Sequence, residues 1–370
     1  MKRIVVTGTR GIPHVMGGVE TVCEELFPRI AALGYEVTLI RRASYVHDQL
    51  SEYKGVRLID IRAPQKKAFE AIIHTLRAVW AAKFRLKADL LHIHAIGPAL
   101  VTPFARLLGL KVVFTHHGPD YDRDKWSRLA KLALRLGERM GVRYANEVIV
   151  ISNVINDMIK QKFRRTDAHL IYNGVPEPER ITGTHYIDSL GLTPGRYLFT
   201  MGRFVPEKNF HRLIQAFAMR FDRRETQLVI AGDAVHEDDY SHKLKDLARQ
   251  NGVILTGFIK GEKLHALLTF ARAFVLPSSH EGLPLSLLEA MSYDLPVLVS
   301  DIPAHIEIGL PADSYFPAGN EEKLIEKLGA LVEETPVRRN YSLEKYHWDH
   351  ITRQTAAIYE KIGFPATGLS

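Results

Sequence analysis

The sequence predicts an α/β protein of two domains, each a parallel sheet with helices on both faces. Three observations predict it. The chain has 370 residues, enough for two cores at about 100–200 residues per domain. Short apolar, β-branched runs alternate with stretches whose apolar residues fall at three- and four-residue spacing, the strand–helix alternation of a parallel sheet. The alternation breaks once, over residues 174–196, where Pro, Gly and charge accumulate, and then restarts.

Taken in order, Ile4-Val5-Val6-Thr7 reads as the first strand, followed by a Gly-rich turn from Gly8 to Gly18. Val19, Val22, Cys23, Leu26, Ile30 and Leu33 then keep helical spacing until Gly34. Strands are expected at Val37–Ile40, Leu90–His94, Val112–Thr115, Asn146–Ile151 and Ala168–Tyr172. After the break they are expected at Tyr197–Thr200, Gln227–Ala231, Val253–Thr256, Ala273–Leu276 and Pro296–Val299. Amphipathic stretches around 321–332 and 343–362 close the chain. The expected division is a first domain over 1–175, a linker over 176–195, a second domain over 196–342 and a C-terminal segment over 343–370.

Composition narrows the function classes. Apolar types make up 46% and charged types 25%, ordinary for a globular protein. A single cysteine, Cys23, excludes an internal disulfide framework and a Cys-based zinc cage, and its place on an apolar helical stripe makes it an inert core residue. No run of 18 apolar residues exists, and the N-terminus runs straight into a strand rather than a leader, so a reduced, cytoplasmic location is expected. The 49 Lys and Arg against 42 Asp and Glu give a net charge of +7, unevenly spread. Residues 1–180 carry 29 basic against 18 acidic residues, and residues 181–370 carry 20 against 24. Two segments concentrate the surplus: 62–87, with seven basic residues and Glu70, and 123–143, with seven and only Asp124 and Glu138.

Two stretches carry the chemistry. Thr200-Met201-Gly202-Arg203-Phe204-Val205-Pro206-Glu207-Lys208-Asn209-Phe210 follows a strand end, where open parallel sheets bind ligands. Gly202 permits close backbone approach, and Arg203 and Lys208 bring two cations to one loop, as a diphosphate requires. Two incidental exposed cations would leave the same residues. Ser278 to Met291 follows a later strand, with Gly282 for a tight turn and Pro284 to open a helix. Glu281 lies in the loop at that helix mouth, and Glu289 about two turns in. A helix N-terminus favours anions, whereas two carboxylates suit sugar hydroxyls. A solvated helix with incidental glutamates accounts for the same residues, and Leu285, Leu288 and Met291 give it a core face.

Together these stretches resemble the donor site of retaining GT-B glycosyltransferases of glycosyltransferase family 4. Gly-Arg-x-x-x-Glu-Lys-Asn and Glu281-x7-Glu289-Ala290-Met291 carry most of the likeness. Gly8-Thr9-Arg10-Gly11-Ile12-Pro13 with Gly17-Gly18-Val19-Glu20-Thr21 resembles the N-terminal loop of the bacterial polysaccharide, rhamnosyltransferase-like branch. Thr115-His116-His117-Gly118, Tyr172-Asn173-Gly174-Val175 and the segment from Trp348 to Tyr359 resemble further family segments, the last a helix crossing back to the first domain. The resemblance implies two Rossmann-like domains facing an interdomain cleft, the first binding the acceptor and the second the nucleotide-sugar. It implies that Arg203 and Lys208 hold the diphosphate and stabilise the leaving group. By the same carry-over Glu289 binds the ribose, and Glu281 with the N–H groups of Gly282 and Leu283 holds the donor sugar. Gly257 and Phe258 lie by the base, and the Gly17-Gly18 loop closes over the phosphates. His117 sits near the donor sugar and the incoming hydroxyl, and Glu20 helps form the acceptor side. His116 occupies a variable position of its motif and receives no role. The implied chemistry retains anomeric configuration and needs no metal and no cofactor. Tyr293-Asp294 and Pro303-Ala304-His305-Ile306-Glu307 depart from the family's usual residues.

The same residues bear on other function classes. A nucleotide-sugar epimerase on a similar fold is the alternative, and the Arg/Lys loop with Glu-x7-Glu argues against it. A dinucleotide oxidoreductase lacks its Gly-x-Gly-x-x-Gly and has Arg41-Arg42 where an acid should end the second strand. A non-catalytic sugar-binding protein is disfavoured by the presence of both diphosphate cations. His92 and His94 share a strand face, without a third ligand nearby in sequence. Asp120-x-Asp122-x-Asp124 is interleaved with Arg123 and Lys125 and reads as a solvated loop, as do Glu237-Asp238-Asp239 and Glu207. Arg128, Lys131, Arg135 and Arg139 fall on one helical face, and Leu129, Leu132, Leu136 and Met140 on another. Within 123–143 this is either an ordinary surface helix packed by its leucines or a basic face for peripheral contact with anionic lipid or a lipid diphosphate acceptor. Nucleic acid is not expected, because no recognition module or aromatic platform accompanies the charge.

Overall fold

The structure, a computed structural model, describes residues 2–64, 70–122, 127–222, 225–333 and 338–363. Lys66, Lys67, Arg123, Asp124 and Lys125, which belong to the two basic segments and the Asp-x-Asp pattern, lie outside the described residues. The chain forms two compact units: residues 1–174 with 345–370, and residues 175–344.

The first unit is built on β1 (Arg3–Thr7), β2 (Glu36–Arg42), β3 (Glu52–Tyr53), β4 (Val56–Ile61), β5 (Leu90–His94), β6 (Lys111–His116), β7 (Glu147–Val150) and β8 (His169–Leu170). They run in the order β3-β4-β2-β1-β5-β6-β7-β8, parallel except for the β3–β4 pair. Ile4, Val5 and Val6 are buried between β2 and β5, with Ile4 opposite Val37 and Leu90. Helices on both faces bury these runs, at roughly 1.5–3 kcal/mol for each large aliphatic chain. β3 and β4 are not among the expected strands: Val56-Arg57-Leu58-Ile59-Asp60-Ile61 alternates with charge, the mark of a strand near a sheet edge. The C-terminal helix Trp348–Lys361 packs on the helix Gly18–Ala32 of this same unit. Arg29 lies over the Trp348 ring at 5.7 Å, and Tyr359 is fully buried.

The second unit holds β9 (Tyr197–Met201), β10 (Gln227–Ala231), β11 (Ile254–Gly257), β12 (Ala273–Leu276), β13 (Val297–Ser300) and β14 (Tyr315–Phe316). The order is β11-β10-β9-β12-β13-β14, and every pair is parallel. Leu198, Ile230, Val275 and Leu298 share one core with Phe210, Phe217, Leu324 and Leu328 from the covering helices. The stretch read as a linker is packed instead. It carries the short helix His185–Ser189, and the Tyr293 hydroxyl accepts from the Glu179 N–H at 3.1 Å, so the segment belongs to the second unit. No described helix is long and apolar enough to cross a membrane.

Both sheets reverse strand order beside their first strand, at β1/β5 and at β9/β12. Ligands of open α/β sheets bind outside the carboxyl ends of the strands at such points. The segments that follow the strands at these ends carry most of the residues singled out in the sequence.

Candidate active site

In the second unit, β9 ends at Met201 and β12 at Leu276, so the two chemical stretches leave neighbouring strands. Their loops are bonded to each other. The Ser279 N–H donates to the Glu207 carbonyl at 2.9 Å, and Asn209 Nδ2 donates to the Pro277 carbonyl at 3.0 Å. Asn209 adopts a left-handed conformation (φ 53°) that turns the loop into the helix Phe210–Arg220. These bonds bring Lys208 Nζ to 2.6 Å from Glu281 Oε1, with the two side chains only 14% and 11% exposed. Burial pushes the Glu281 carboxyl up, but Lys208 and then His305 pull it down harder, and it settles at about 2. The Glu281 carboxylate is therefore ionised at neutral pH. Burial lowers the His305 imidazole, whose Nδ1 lies 2.8 Å from the Ser300 carbonyl while its buried Nε2 lacks a hydrogen-bond partner. His305 stands in a stretch noted only as a departure from the family's usual residues. Its part became visible only when the fold brought that stretch beside Glu281.

The other expected donor residues surround this pair unevenly. A Cβ on Gly202 would press on the Lys208 stem at 3.3 Å. Arg203 is partly buried in the same loop. Leu283 is buried beneath Glu281 and Gly282, and Glu289 is half-buried in the helix Leu285–Ser292, which Pro284 precedes rather than opens. Gly257 ends β11 with open space around it, and Phe258 next to it is 42% exposed, with Lys260 over its ring at 5.9 Å.

In the first unit, the loop leaving β1 is held by Glu20, from the first turn of the helix Gly18–Ala32. Its Oε1 accepts from the Arg10 N–H at 3.0 Å, Arg10 Nε at 3.1 Å and Thr9 Oγ1 at 3.3 Å, while Oε2 accepts from Arg10 Nη2 at 3.0 Å. Burial raises the Glu20 carboxyl and Arg10 more than reverses it, to about 2. Glu20 thus shapes the loop leaving β1. Gly17 is required here: a Cβ would lie 2.2 Å from Glu20 Oε2 and 2.4 Å from Arg10 Nη2. Gly18 follows as the first residue of the helix.

Beside that loop, β5 and β6 deliver four histidines. His92 and His94 stack at 4.3 Å between centroids, and His94 stacks on His117 at 5.2 Å with Nδ1 2.9 Å from His117 Nε2. His92 engages both nitrogens, with the Tyr359 hydroxyl and Thr115 Oγ1, each at 2.7 Å. Phe27 closes the array edge-on at 5.6 and 5.5 Å. Burial, with the neighbouring imidazoles adding to it, lowers His92 to about 3, His117 to about 4 and His94 well below the ordinary value. The three rings are neutral hydrogen-bonding groups, and His94 and His117 engage each other rather than converging on an ion. The His94 partner of His117 is 23 residues away in sequence and is brought beside it by β5–β6 pairing.

His116 also acquires a place. Its Nδ1 accepts from the Gly118 N–H at 3.0 Å, which puts the ring hydrogen on Nε2, and this donates to the fully buried Glu138 at 3.0 Å. The Tyr121 hydroxyl donates to the same carboxylate at 3.1 Å, and Lys162 Nζ completes the pairing. Burial raises the Glu138 carboxyl, and His116 and Lys162 outweigh it, so it stays ionised. Cys23 is buried and its thiol is pushed well up by burial. Among the described residues no group of His, Cys, Asp or Glu is arranged to hold a metal ion.

Known proteins share this architecture. Residues 16–177 match the model of Glycosyltransferase Family 4, and residues 187–348 that of Glycosyl transferases group 1. An uncharacterized glycosyltransferase of Methanocaldococcus jannaschii is 24% identical over 94% of this chain and 95% of its own. The GDP-mannose:cellobiosyl-diphosphopolyprenol alpha-mannosyltransferase of Xanthomonas oryzae is 26% identical over 75% of this chain and 76% of its own. The sucrose-phosphate synthase of Thermosynechococcus elongatus superposes with a TM-score of 0.82 at 20% identity, covering 98% and 99% of the two chains. Two glycosyltransferase family models thus lie end to end on two Rossmann-like units, and the chain has the two-unit fold of the GT-B glycosyltransferases it resembles.

Proposed function

We propose that the chain is a retaining, metal-independent enzyme of the rhamnosyltransferase-like branch. It moves a sugar from a nucleotide-diphosphate sugar to a hydroxyl of a lipid-linked glycan in cell-surface polysaccharide synthesis. The observation that carries this reading is the buried Lys208–Glu281 pair, fixed by bonds between the loops leaving β9 and β12. Glu281 aims the Lys208 ammonium, which with Arg203 faces the donor diphosphate and meets its growing charge as the glycosidic bond breaks. Preorganised charge of this kind is usually the largest catalytic term. Glu281 with the N–H groups of Gly282 and Leu283 holds the donor sugar, Glu289 the ribose, and Gly257 and Phe258 the base. Gly17 and Gly18 cover the phosphates, and His117, kept neutral, hydrogen-bonds near the reacting centre.

The reaction on this reading runs by front-face attack. The acceptor oxygen bonds to the anomeric carbon on the face the diphosphate leaves, and a donor phosphate oxygen takes the acceptor proton. Configuration is retained and no protein nucleophile forms a bond. The two cations of one loop supply the charge a metal would otherwise bring. The relative named for GDP-mannose and a diphosphopolyprenol acceptor supports the donor and acceptor classes. The epimerase alternative finds no counterpart in the matched family models. On this reading the enzyme works in the cytoplasm, peripheral to the membrane, with the 123–143 segment as its contact.

Calorimetric titration with UDP-, GDP-, dTDP- and ADP-sugars tests the donor site. One nucleotide class should bind, and Glu289→Gln and Lys208→Ala should weaken it. Product NMR should show retained anomeric configuration, and turnover should survive EDTA. An inverted product or an EDTA-dead enzyme would overturn the corresponding part of the mechanism.

A further inference from the structure

The helix Arg128–Tyr144 is turned the other way from the packing its leucines suggest. Its inner face is Gly137, Glu138 and Gly141, all buried. A Cβ at Gly137 would lie 2.1 Å from the Ile96 carbonyl oxygen, and one at Gly141 2.7 Å from Ala99 and 2.8 Å from Phe114. The helix therefore beds down on its glycines, and its leucines face out: Leu129 is 80% exposed, Leu132 63% and Leu136 47%. Three neighbouring leucines left in water need a reason.

A pocket of about 840 Å³ lies beside them, between this helix and the segment 162–167 at the end of the helix Asn153–Phe163. Leu132, Leu136, Val142 and Phe163 give it an apolar side. Lys162 and Arg165 are engaged in its wall, Lys162 by Glu138 and Tyr121, and Arg165 by Asp167 and the carbonyls of Val142, Ala145 and Asn146. Arg135, Arg139, Arg143 and Arg164 line it too, and among the described residues no carboxylate pairs with any of them. Arg135, Arg139 and Arg143 stand four residues apart on one ridge of the helix.

We propose that this pocket is a seat for the phosphate headgroup of a lipid in an anionic bilayer, with Leu129, Leu132 and Leu136 entering the interface beside it. Four arginines without acidic partners fit a phosphate, which guanidinium binds by paired N–H donors. The leucines choose the source. A polyanion such as RNA gains nothing from three aliphatic side chains, whereas a bilayer buries them beside its charged headgroups. This gives the membrane contact of the proposed function a defined site and a ligand. It rests on that reading only for its purpose, because lipid binding is measured without turnover.

The test is sedimentation of the full chain with vesicles of phosphatidylcholine alone and of phosphatidylcholine with phosphatidylglycerol. Binding should require the anionic lipid. The triple variant Arg139→Ala, Arg143→Ala, Arg164→Ala should bind on the order of 100-fold more weakly, each cation near an anionic surface being worth about 1 kcal/mol. Leu132→Ser with Leu136→Ser should cost about tenfold or more. Lys243→Ala, Arg249→Ala and Lys323→Ala remove equal charge from exposed positions of the second unit and should change binding less than threefold. Equal loss in that control would reduce the attraction to net charge and overturn the seat. RNA binding that needs the arginines but not the leucines would overturn the bilayer. Nucleotide-sugar titration of the same variants should be unchanged, so a failed lipid test and a failed donor assignment are told apart.

Discussion

The two units solve the same topological problem with opposite electrostatics. Each reverses its strand order beside its first strand, and each gathers its chemical residues at or just beyond the carboxyl ends of its strands. In the second unit the gathering is ionic: a lysine and a glutamate 2.6 Å apart, both largely removed from water. In the first unit, beyond the Arg10–Glu20 brace, it is a stack of three imidazoles that burial keeps neutral. A leaving diphosphate needs positive charge that does not vary with pH. A hydroxyl bound for a sugar needs hydrogen-bonding groups that do not compete with that charge. On the proposed reading, one scaffold supplies both by changing what the strand ends carry.

The largest test of this contrast is to remove one ion. Lys208→Ala and Glu281→Ala should each lower turnover by about two to four orders of magnitude, or ~3–5 kcal/mol of transition-state stabilisation. Lys208→Ala should also depress the melting temperature, because it leaves a buried carboxylate unpaired. Wild-type rates in either variant would end the ionic assignment. Next comes the brace of the first unit. Gly17→Ala drives a methyl into Glu20 and Arg10 and should cost about 1–3 kcal/mol in denaturant unfolding. Unchanged stability would mean that the loop is not held as described.

The acid response should separate the units. His92 and His117 have folded values of about 3 and 4 against an ordinary 6.5, with His94 lower still, so between about 6.5 and 4 the unfolded chain binds protons that the folded unit refuses. Stability there falls with falling pH, by at most about 1.4 kcal/mol per pH unit for each such histidine. His74, at about 4, adds to the first unit, while lowered His211 and His305 give the second a smaller share. Glu281, at about 2 against 4.5, contributes in full above pH 4.5 and loses that contribution only between 4.5 and 2. Amide hydrogen exchange followed from pH 7 to 4 should show the first unit opening first; equal loss in both would refute the contrast. The smallest effect is expected at Phe258→Ala. This half-exposed ring should leave stability within about 0.5 kcal/mol and weaken nucleotide binding no more than about tenfold, read by calorimetry.

How much of this was legible in the sequence depended on distance along the chain. Strands buried on both faces announce themselves as continuous apolar runs, so both sheets and the two loops at Thr200–Phe210 and Ser278–Met291 could be read directly. The Lys208–Glu281 pair joins residues of two recognisable stretches, but their contact required the β9–β12 neighbourhood. The histidine array was less legible, because His92 meets a hydroxyl 267 residues away. Periodicity marked the leucine stripe of the helix Arg128–Tyr144 but could not say which face looks inward. Its two glycines, invisible to a hydrophobic pattern, decide that. The alternating strand β4 was missed for the related reason that half of its residues face away from the core.

The C-terminal helix has a temporal consequence. Because Trp348–Lys361 belongs to the unit that begins the chain, the second unit is an insertion within the first. During synthesis residues 175–344 are complete and free to fold as a unit while the first still lacks its last helix. The Tyr359 hydroxyl that engages His92 leaves the ribosome only after the whole second unit. A nascent chain can therefore acquire its Lys208–Glu281 pair before its imidazole stack is anchored. A chain that stalls short of Tyr359 carries a finished second unit on an unfinished first one, a distinctive substrate for quality control.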